Sequence, residues 1–589
     1  MSFFSLCEIV LVWEFVPTLV LLVGLMLLWT RALFINSTRM IGKTYPILTC
    51  FNGVTTNAKR YSYYFHTYAF DPKSTAVIIK SNLAWLIALT LGLEISLNWN
   101  TWLTAESSTY FSGMLSHTPL VVCMKILILT FMWLSIIYLD PNEHGVNAST
   151  ILLIGSVLFF MLVLVSANHF IVLYVALEGV SLLSFVLAAQ PKTENAVESG
   201  LKYFFQSSFA SVLLLLGIAL TCAGTNSFDF VEIRWLLSVE PLTQLLTVGL
   251  SLITIALLFK VSSFPGHFWA PDVYRGPTSS VLTVFAVVVK LAAFFVLLNV
   301  YLQFLTLIYV NWSPLLYVAS AASMLLGAIG AIRVINAGGN LRTFVAYTSI
   351  NQVGFVLLGL TTVTLDGFWA SLVYLIVYLL SSVLFLGVLS RIRFSSDNVE
   401  RPIERLDELR HIFNNEFKYS RRFDLFVLAY AIWSMAGLPP LAGFFGKVAL
   451  WSSLLHKLDS LVSGESATEI TNSLPFVDQS LLIDPFILVA GILALSVVVS
   501  IISAVYYFKI YELLAPAASD SEYGLYTNQR QYWMIHDRGS LLLTVALRFA
   551  LTTWVVFVVW TRDLQLFSYP PQIFDTLWSG QLNSLTLNL

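Results

Sequence analysis

Residues 259–276 read FKVSSFPGHFWAPDVYRG. Lys260 closes a long apolar run, and five residues later Pro265-Gly266 interrupts any helix that the run forms. His267, Asp272 and Arg275 follow in a stretch that stays largely apolar. A charge and a broken backbone are both costly in a bilayer, and both are tolerated where protein or a water-filled cavity receives them. The stretch therefore reads as a site within a membrane domain.

The composition agrees. The 589 residues are 58% hydrophobic and 11% charged, against about 25% charged residues in soluble domains. The surplus apolar surface faces lipid. The net charge of -2 says little about partners, and nucleic acid is not among those expected. Cys7, Cys50, Cys123 and Cys222 are far apart and form no CxxC, so neither a disulfide framework nor an iron–sulfur ligand set is supported. No basic segment with a cleavage site precedes the first apolar run, so no removable presequence is expected. There is no nucleotide, metal or covalent-nucleophile motif.

Outward from the opening stretch, apolar runs of bilayer length predict about fourteen transmembrane helices. They lie near 9–29, 82–98, 120–139, 151–167, 170–189, 201–223, 245–264, 281–302, 314–332, 343–360, 367–390, 424–456, 484–508 and 540–561. The twelfth is too long for one crossing and is interrupted at Gly437-Leu438-Pro439-Pro440. Of the Lys and Arg residues in loops and tail, 21 follow odd-numbered spans, and only Arg234, Lys457 and Arg562 lie elsewhere. The positive-inside rule puts odd loops in the matrix or cytoplasm and both termini opposite. Three polar inserts interrupt the pattern, at Arg31–Ser81, Arg391–Phe423 and Ala515–Gly539. In the second, Ile403, Leu406, Leu409 and Ile412 recur every three residues, which suits either a surface helix or a solvated loop.

Lys260 lies beside the break in span 7, and Lys447 beside the break in span 12. Two interrupted helices five spans apart suggest two inverted five-helix repeats, the transporter pattern in which broken helices mark the ion site. The organisation expected is 1–150 (three spans and the polar loop 31–81), 151–305 (first repeat), 306–513 (second repeat with insert 391–423) and 514–589 (polar loop, last span and tail). The fold class is an all-α polytopic membrane protein.

Charges far from span ends are the site candidates. Glu178, Lys260, Lys290 and Lys447 lie mid-membrane, and Lys202 opens span 6. A charge at the bilayer centre costs about 2.5–3.5 kcal/mol on insertion scales, so partners or water must compensate. One carboxylate among several lysines is the material of a proton path; the alternative is a static ion pair or snorkelling, evenly weighed for Lys202. His267 reads equally as a proton relay or as a residue packing the break. His169 reads as structural, and Asp272 and Arg275 as anchors of the span end. Glu14, Glu94, Lys125 and Lys509 sit nearer span ends and read as structural.

The stretches SANHFIVLYVALEGVSLLSFVLAA, ESGLKYFFQSSFAS, FKVSSFPGHFWAPDVYRGP, NLRTFVAYTSINQVGFVLLGL and SMAGLPPLAGFFGK together resemble the subunit 2 family of respiratory complex I, NADH:ubiquinone oxidoreductase, within the antiporter-like subunits. HFWAPDVY is the most specific of these sequences. The resemblance implies that Glu178, on the fifth helix, pairs with Lys260, and that Lys202, Lys290 and Lys447 are the lysines of helices 6, 8 and 12. It implies proton translocation in the membrane arm, with NADH, FMN, iron–sulfur clusters and ubiquinone in partner subunits and no cofactor in this chain. The partners implied are a second antiporter-like subunit, the small subunit next to it and the lipid bilayer. The membrane implied is the mitochondrial inner membrane or a bacterial plasma membrane. Thr343, Gln352 and Gly179 depart from the family's usual residues, and Gln352 stands where many members have histidine. A stand-alone cation/proton antiporter and a non-pumping structural subunit remain alternatives.

Overall fold

The computed structural model describes residues 16–44, 72–98, 108–139, 141, 143, 145–239, 244–305, 309–390, 393–396, 399–402, 404–406, 408–409, 419–439, 441–463, 485–514 and 532–534. The helices are α1 (Val16–Thr44), α2 (Pro72–Leu97), α3 (Pro119–Tyr138), α4 (Ala148–Ser166), α5 (Phe170–Ala189), α6 (Glu194–Thr225), α7 (Phe230–Val239), α8 (Gln244–Val261), α9 (Trp269–Val273), α10 (Ser279–Phe304), α11 (Tyr309–Asn336), α12 (Leu341–Leu360), α13 (Leu365–Leu389), α14 (Tyr419–Ala436), α15 (Ala442–Ser463) and α16 (Pro485–Leu514). Among the described residues, eleven helices are long and apolar enough to cross a bilayer. Predicted spans 2 to 11 and 13 fall on these. Span 1 falls on α1, span 12 on α14 and α15, and span 14 lies outside the described residues.

Side-chain oxygens define several helix starts. Thr118, Thr193, Thr278, Asn340 and Thr364 each accept a backbone N–H of the first turn, satisfying donors that have no partner within the helix. The bundle is layered by burial. The most apolar stretches of α10 and α12 are 94% buried, whereas that of α16 is 28% buried. So α10 and α12 form the centre, with α13 beside them, and the outer helices present Leu, Val and Phe side chains outward. Helices α6 and α8 approach closely at glycines, where a Cβ on Gly217 would lie 2.8 Å from the Gly249 carbonyl oxygen. Small residues at such crossings let membrane helices pack backbone to backbone.

Two helix ends have a backbone cause. After α8, buried Ser262 adopts φ +65°, rare for a non-glycine residue, and the chain leaves the helix before α9. After α14, Gly437 at φ +80° ends the helix as glycine commonly does, and α15 begins at Ala442. Helix α10 loosens into π turns at Val284–Val289, just before Lys290, and again at Tyr301–Leu305.

Polar clamps hold the start of α10. The Glu143 carboxylate accepts from Ser279 N (2.6 Å), Ser280 N (3.2 Å) and Ser280 Oγ (2.7 Å). Arg342 Nη1 donates to the Arg275 and Pro277 carbonyls at 3.0 and 2.7 Å.

A short connection and two of the inserts add strands that the all-α reading did not anticipate. β1 (Ser108–Tyr110) pairs antiparallel with β2 (Leu115–His117). β3 (Arg393–Ser396) pairs with β4 (Val399–Pro402) and with β5 (Tyr532–Met534), so the second and third inserts meet in one small sheet. The described part of 391–423 forms no surface helix before α14. Leu406 and Leu409 are buried instead.

Candidate functional site

Three of the predicted charges share one device. Lys260 on α8 donates from Nζ to Ser207 Oγ on α6 at 2.7 Å. Lys290 on α10 donates to Ser349 Oγ on α12 at 2.8 Å and lies over the Tyr274 ring, 6.0 Å from its centroid. Lys447 on α15 donates to the Ala436 carbonyl at 2.9 Å and to Ser503 Oγ on α16 at 3.4 Å, with the Phe355 ring 5.1 Å away. Lys290 and Lys447 are 3% and 2% exposed. A buried ammonium is held only where acceptors meet it, and here each lysine finds a serine on another helix.

Two of those serines are set as acceptors. Ser349 Oγ donates to the Ala346 carbonyl and Ser503 Oγ to the Ser500 carbonyl, both at 2.7 Å. Each hydroxyl proton is thereby committed to the serine's own helix, and the lone pairs face the lysine.

A buried polar network lies one turn beyond Ser349 on α12. Gln352, one turn beyond Ser349 on α12, donates from Nε2 to the Met435 carbonyl (3.2 Å) and to Tyr507 OH (3.3 Å), and its Oε1 accepts from Tyr374 OH. Asn351 donates to Tyr506 OH at 2.9 Å. Met435 precedes Ala436, whose carbonyl receives Lys447. The departure at Gln352 therefore puts an amide, able to donate and accept together, near the two lysines.

The other candidates fall differently. Glu178 is half-buried and takes a 3.4 Å contact from Ser181 Oγ. It interacts electrostatically with Lys260, but the two are not joined by an ion pair of 4.0 Å or less, and Lys260 is turned to Ser207. The direct pairing implied by the resemblance is therefore not the arrangement seen. Lys202 lies off the buried line, half-exposed between Glu198 (2.8 Å) and Asp272 (2.9 Å). Asp272 thus serves as an ion-pair partner at the end of the bundle. His267 is half-buried between Phe264 and Phe268, with Nδ1 lacking a hydrogen-bond partner. Burial holds its imidazole below the ordinary value, partly offset by the Pro265 backbone, which suits a neutral ring packing the break. His169 accepts the Ile171 N–H at the start of α5, the structural role expected. Sequence reasoning named the lysines and missed Ser207, Ser349, Ser503, Tyr374 and Tyr507, for serine and tyrosine are ordinary in membrane helices.

A family model described as NADH:quinone oxidoreductase/Mrp antiporter, TM, matches residues 167–466, about half of the chain and all of the lysine sites except the Ser503 helix. The chain is 37% identical over 298 residues to NADH-quinone oxidoreductase subunit N 1 of Acidiphilium cryptum, covering 50% of this chain and 60% of that one. It is 33% identical over 402 residues to NADH-quinone oxidoreductase subunit N of Pelagibacter ubique, covering 67% and 74%. In three dimensions it is similar to a chain of respiratory complex I from Thermus thermophilus with bound aureothin, at TM-score 0.60 and 23% identity, covering 83% of this chain and 93% of that one. A chain of the Mrp complex from Dietzia gives TM-score 0.60 at 17% identity, covering 87% and 94%.

Proposed function

Because the chain belongs to the NADH:quinone oxidoreductase/Mrp antiporter transmembrane family, we propose that it is a proton-translocating membrane-arm subunit of an NADH-quinone oxidoreductase of the complex I type. Oxidation of NADH and reduction of quinone take place in other subunits, which hold the FMN, iron–sulfur clusters and quinone. Those partners include a second antiporter-like subunit and the small subunit next to it. The lipid bilayer is a plasma or inner mitochondrial membrane, with the basic odd-numbered loops on its cytoplasmic or matrix side.

The observation that carries the reading is the half-buried Lys260 and the buried Lys290 and Lys447, each on an acceptor from another helix, with a hydrogen-bonded amide and phenols near the last two. A change delivered from the redox subunits alters the Glu178–Lys260 interaction, Lys260 yields its proton towards Lys290, and the Ser349–Gln352 turn carries it on to Lys447. Lys202, with Glu198 and Asp272, supplies charge at the bundle's half-exposed edge. The energies match. Moving one charge against 100 mV takes about 2.3 kcal/mol, and a hydrogen bond to a charged group contributes about 1.5–3 kcal/mol. Remaking one lysine–serine contact is therefore of the size needed.

The test is Lys260→Ala in the assembled complex, reconstituted into vesicles. The expected result is a lowered proton-to-electron ratio with NADH oxidation retained. An unchanged ratio overturns the proposal.

A further inference from the structure

Far along the chain from the lysine line, four polar side chains come together in complete burial. Glu94 in the last turn of α2 and Asn98 just beyond it are 0% exposed, while Lys125 in the second turn of α3 and His117 at the end of β2 are 1% exposed. The Asn98 amide donates to Glu94 Oε2 at 2.5 Å. The Lys125 ammonium acts electrostatically on both Glu94 and His117, and Tyr110 packs edge-on against the His117 ring with centroids 6.0 Å apart.

The cluster lies at one end of the bundle. Lys80, near the start of α2, donates to the Ile137 and Leu139 carbonyls at the end of α3, so the two helices run antiparallel. Glu94 and Lys125 therefore share the opposite end, beneath the β1–β2 hairpin. A charge near a span end either snorkels to the interface or forms a static ion pair, and these two are buried.

A static ion pair is a poor account of this group. A buried pair contributes no more than well-packed apolar residues of the same volume unless its remaining lone pairs are also satisfied, and Glu94 Oε1 is buried without a hydrogen-bond partner. An ionised carboxylate calls for donors at both oxygens. One oxygen held by Asn98 and one left open is the pattern of a carboxyl group that takes up and releases a proton, with the Lys125 ammonium acting on it electrostatically to compensate the charge when the proton leaves.

We propose that Glu94, Lys125, Asn98 and His117 form a second proton-holding site, separate from the lysine line, with the proton as ligand and Glu94 Oε1 as its seat. The neutral His117 ring closes the site and leaves the exchange to the carboxyl and the ammonium. Proton binding here does not depend on the lysine line carrying protons, so the two proposals fail separately.

The test is infrared difference spectroscopy of the purified complex containing this chain, between two pH values and in both H2O and D2O. Glu94→Gln should lose a carboxyl C=O band that shifts in D2O, and Lys125→Gln should displace that band. Lys260→Ala should leave it in place. If Glu94→Gln does not assemble, the double change Glu94→Gln with Lys125→Gln removes both charges together and serves the same comparison. A spectrum unchanged by loss of Glu94 overturns the proposal and leaves a static pair.

Discussion

The serine beneath Lys290 allows a direct trial of the acceptor argument. Ser349 donates its hydroxyl proton to Ala346 at 2.7 Å and offers only lone pairs to Lys290 Nζ at 2.8 Å. Ser349→Ala removes the acceptor and leaves the lysine in a helix core that is almost wholly buried. A hydrogen bond to a charged group contributes about 1.5–3 kcal/mol, and the ammonium loses that contribution while the neutral amine loses little. At about 1.4 kcal/mol for each factor of ten, the charged form of Lys290 becomes roughly ten- to a hundredfold less populated. The expected result is a slower proton transfer and a displaced pH profile of the proton-to-electron ratio, measured in vesicles at matched rates of NADH oxidation. Ser349→Thr keeps the hydroxyl and should restore the profile. If Ser349→Ala pumps with the parental ratio and profile while Lys290→Ala does not, the serine is packing alone and the reasoning fails.

Two further outcomes follow from groups outside the spans. Glu143→Ala leaves Ser279 N, Ser280 N and Ser280 Oγ without their acceptor at the start of the Lys290 helix. At about 1–3 kcal/mol for each buried group left unpaired, thermal unfolding of the assembled complex should begin at lower temperature, with Glu143→Asp recovering part of the loss. Burial, and secondarily Lys125, pushes His117 down to about 3 from an ordinary value near 6.5. A group whose folded value is depressed gives stability that is present above about 6.5 and is lost as pH falls through that value towards about 3. The unfolding midpoint should therefore drop on acidification across that window. His117→Asn should flatten the slope, and an identical slope would refute the assignment.

The lysines were legible because each is a lone charge in an apolar run, where the bilayer makes any charge conspicuous. The helices were legible for the same reason. What could not be read was the pairing. Lys260, Lys290 and Lys447 find serines 53, 59 and 56 residues away, and nothing local distinguishes Ser349 from its neighbour Thr348. The burial of Glu94 and Lys125 could not be read either, since both lie near span ends. The hairpin at β1–β2 covers that end, and short strands without alternation give no signal of their own. Strands β3 to β5 hid in polar inserts for the same reason, with the third strand supplied from 130 residues further on.

The geometry also bears on the idea of a duplicated device. Lys260 precedes its break and takes its acceptor from α6, earlier in the chain; Lys447 follows its break and takes the Ala436 carbonyl of α14 as well as Ser503 of α16. Copies of one segment would keep the same order. The two lysines therefore sit on opposite sides of their breaks. What recurs is a chemical solution: an ammonium beside an interrupted helix, held by a serine from a neighbouring helix. Lys290 meets the same need without a proline or glycine break, using π turns in α10 and the acceptor on α12. A bilayer admits few ways to hold a buried ammonium, and three different backbone contexts have arrived at the same one.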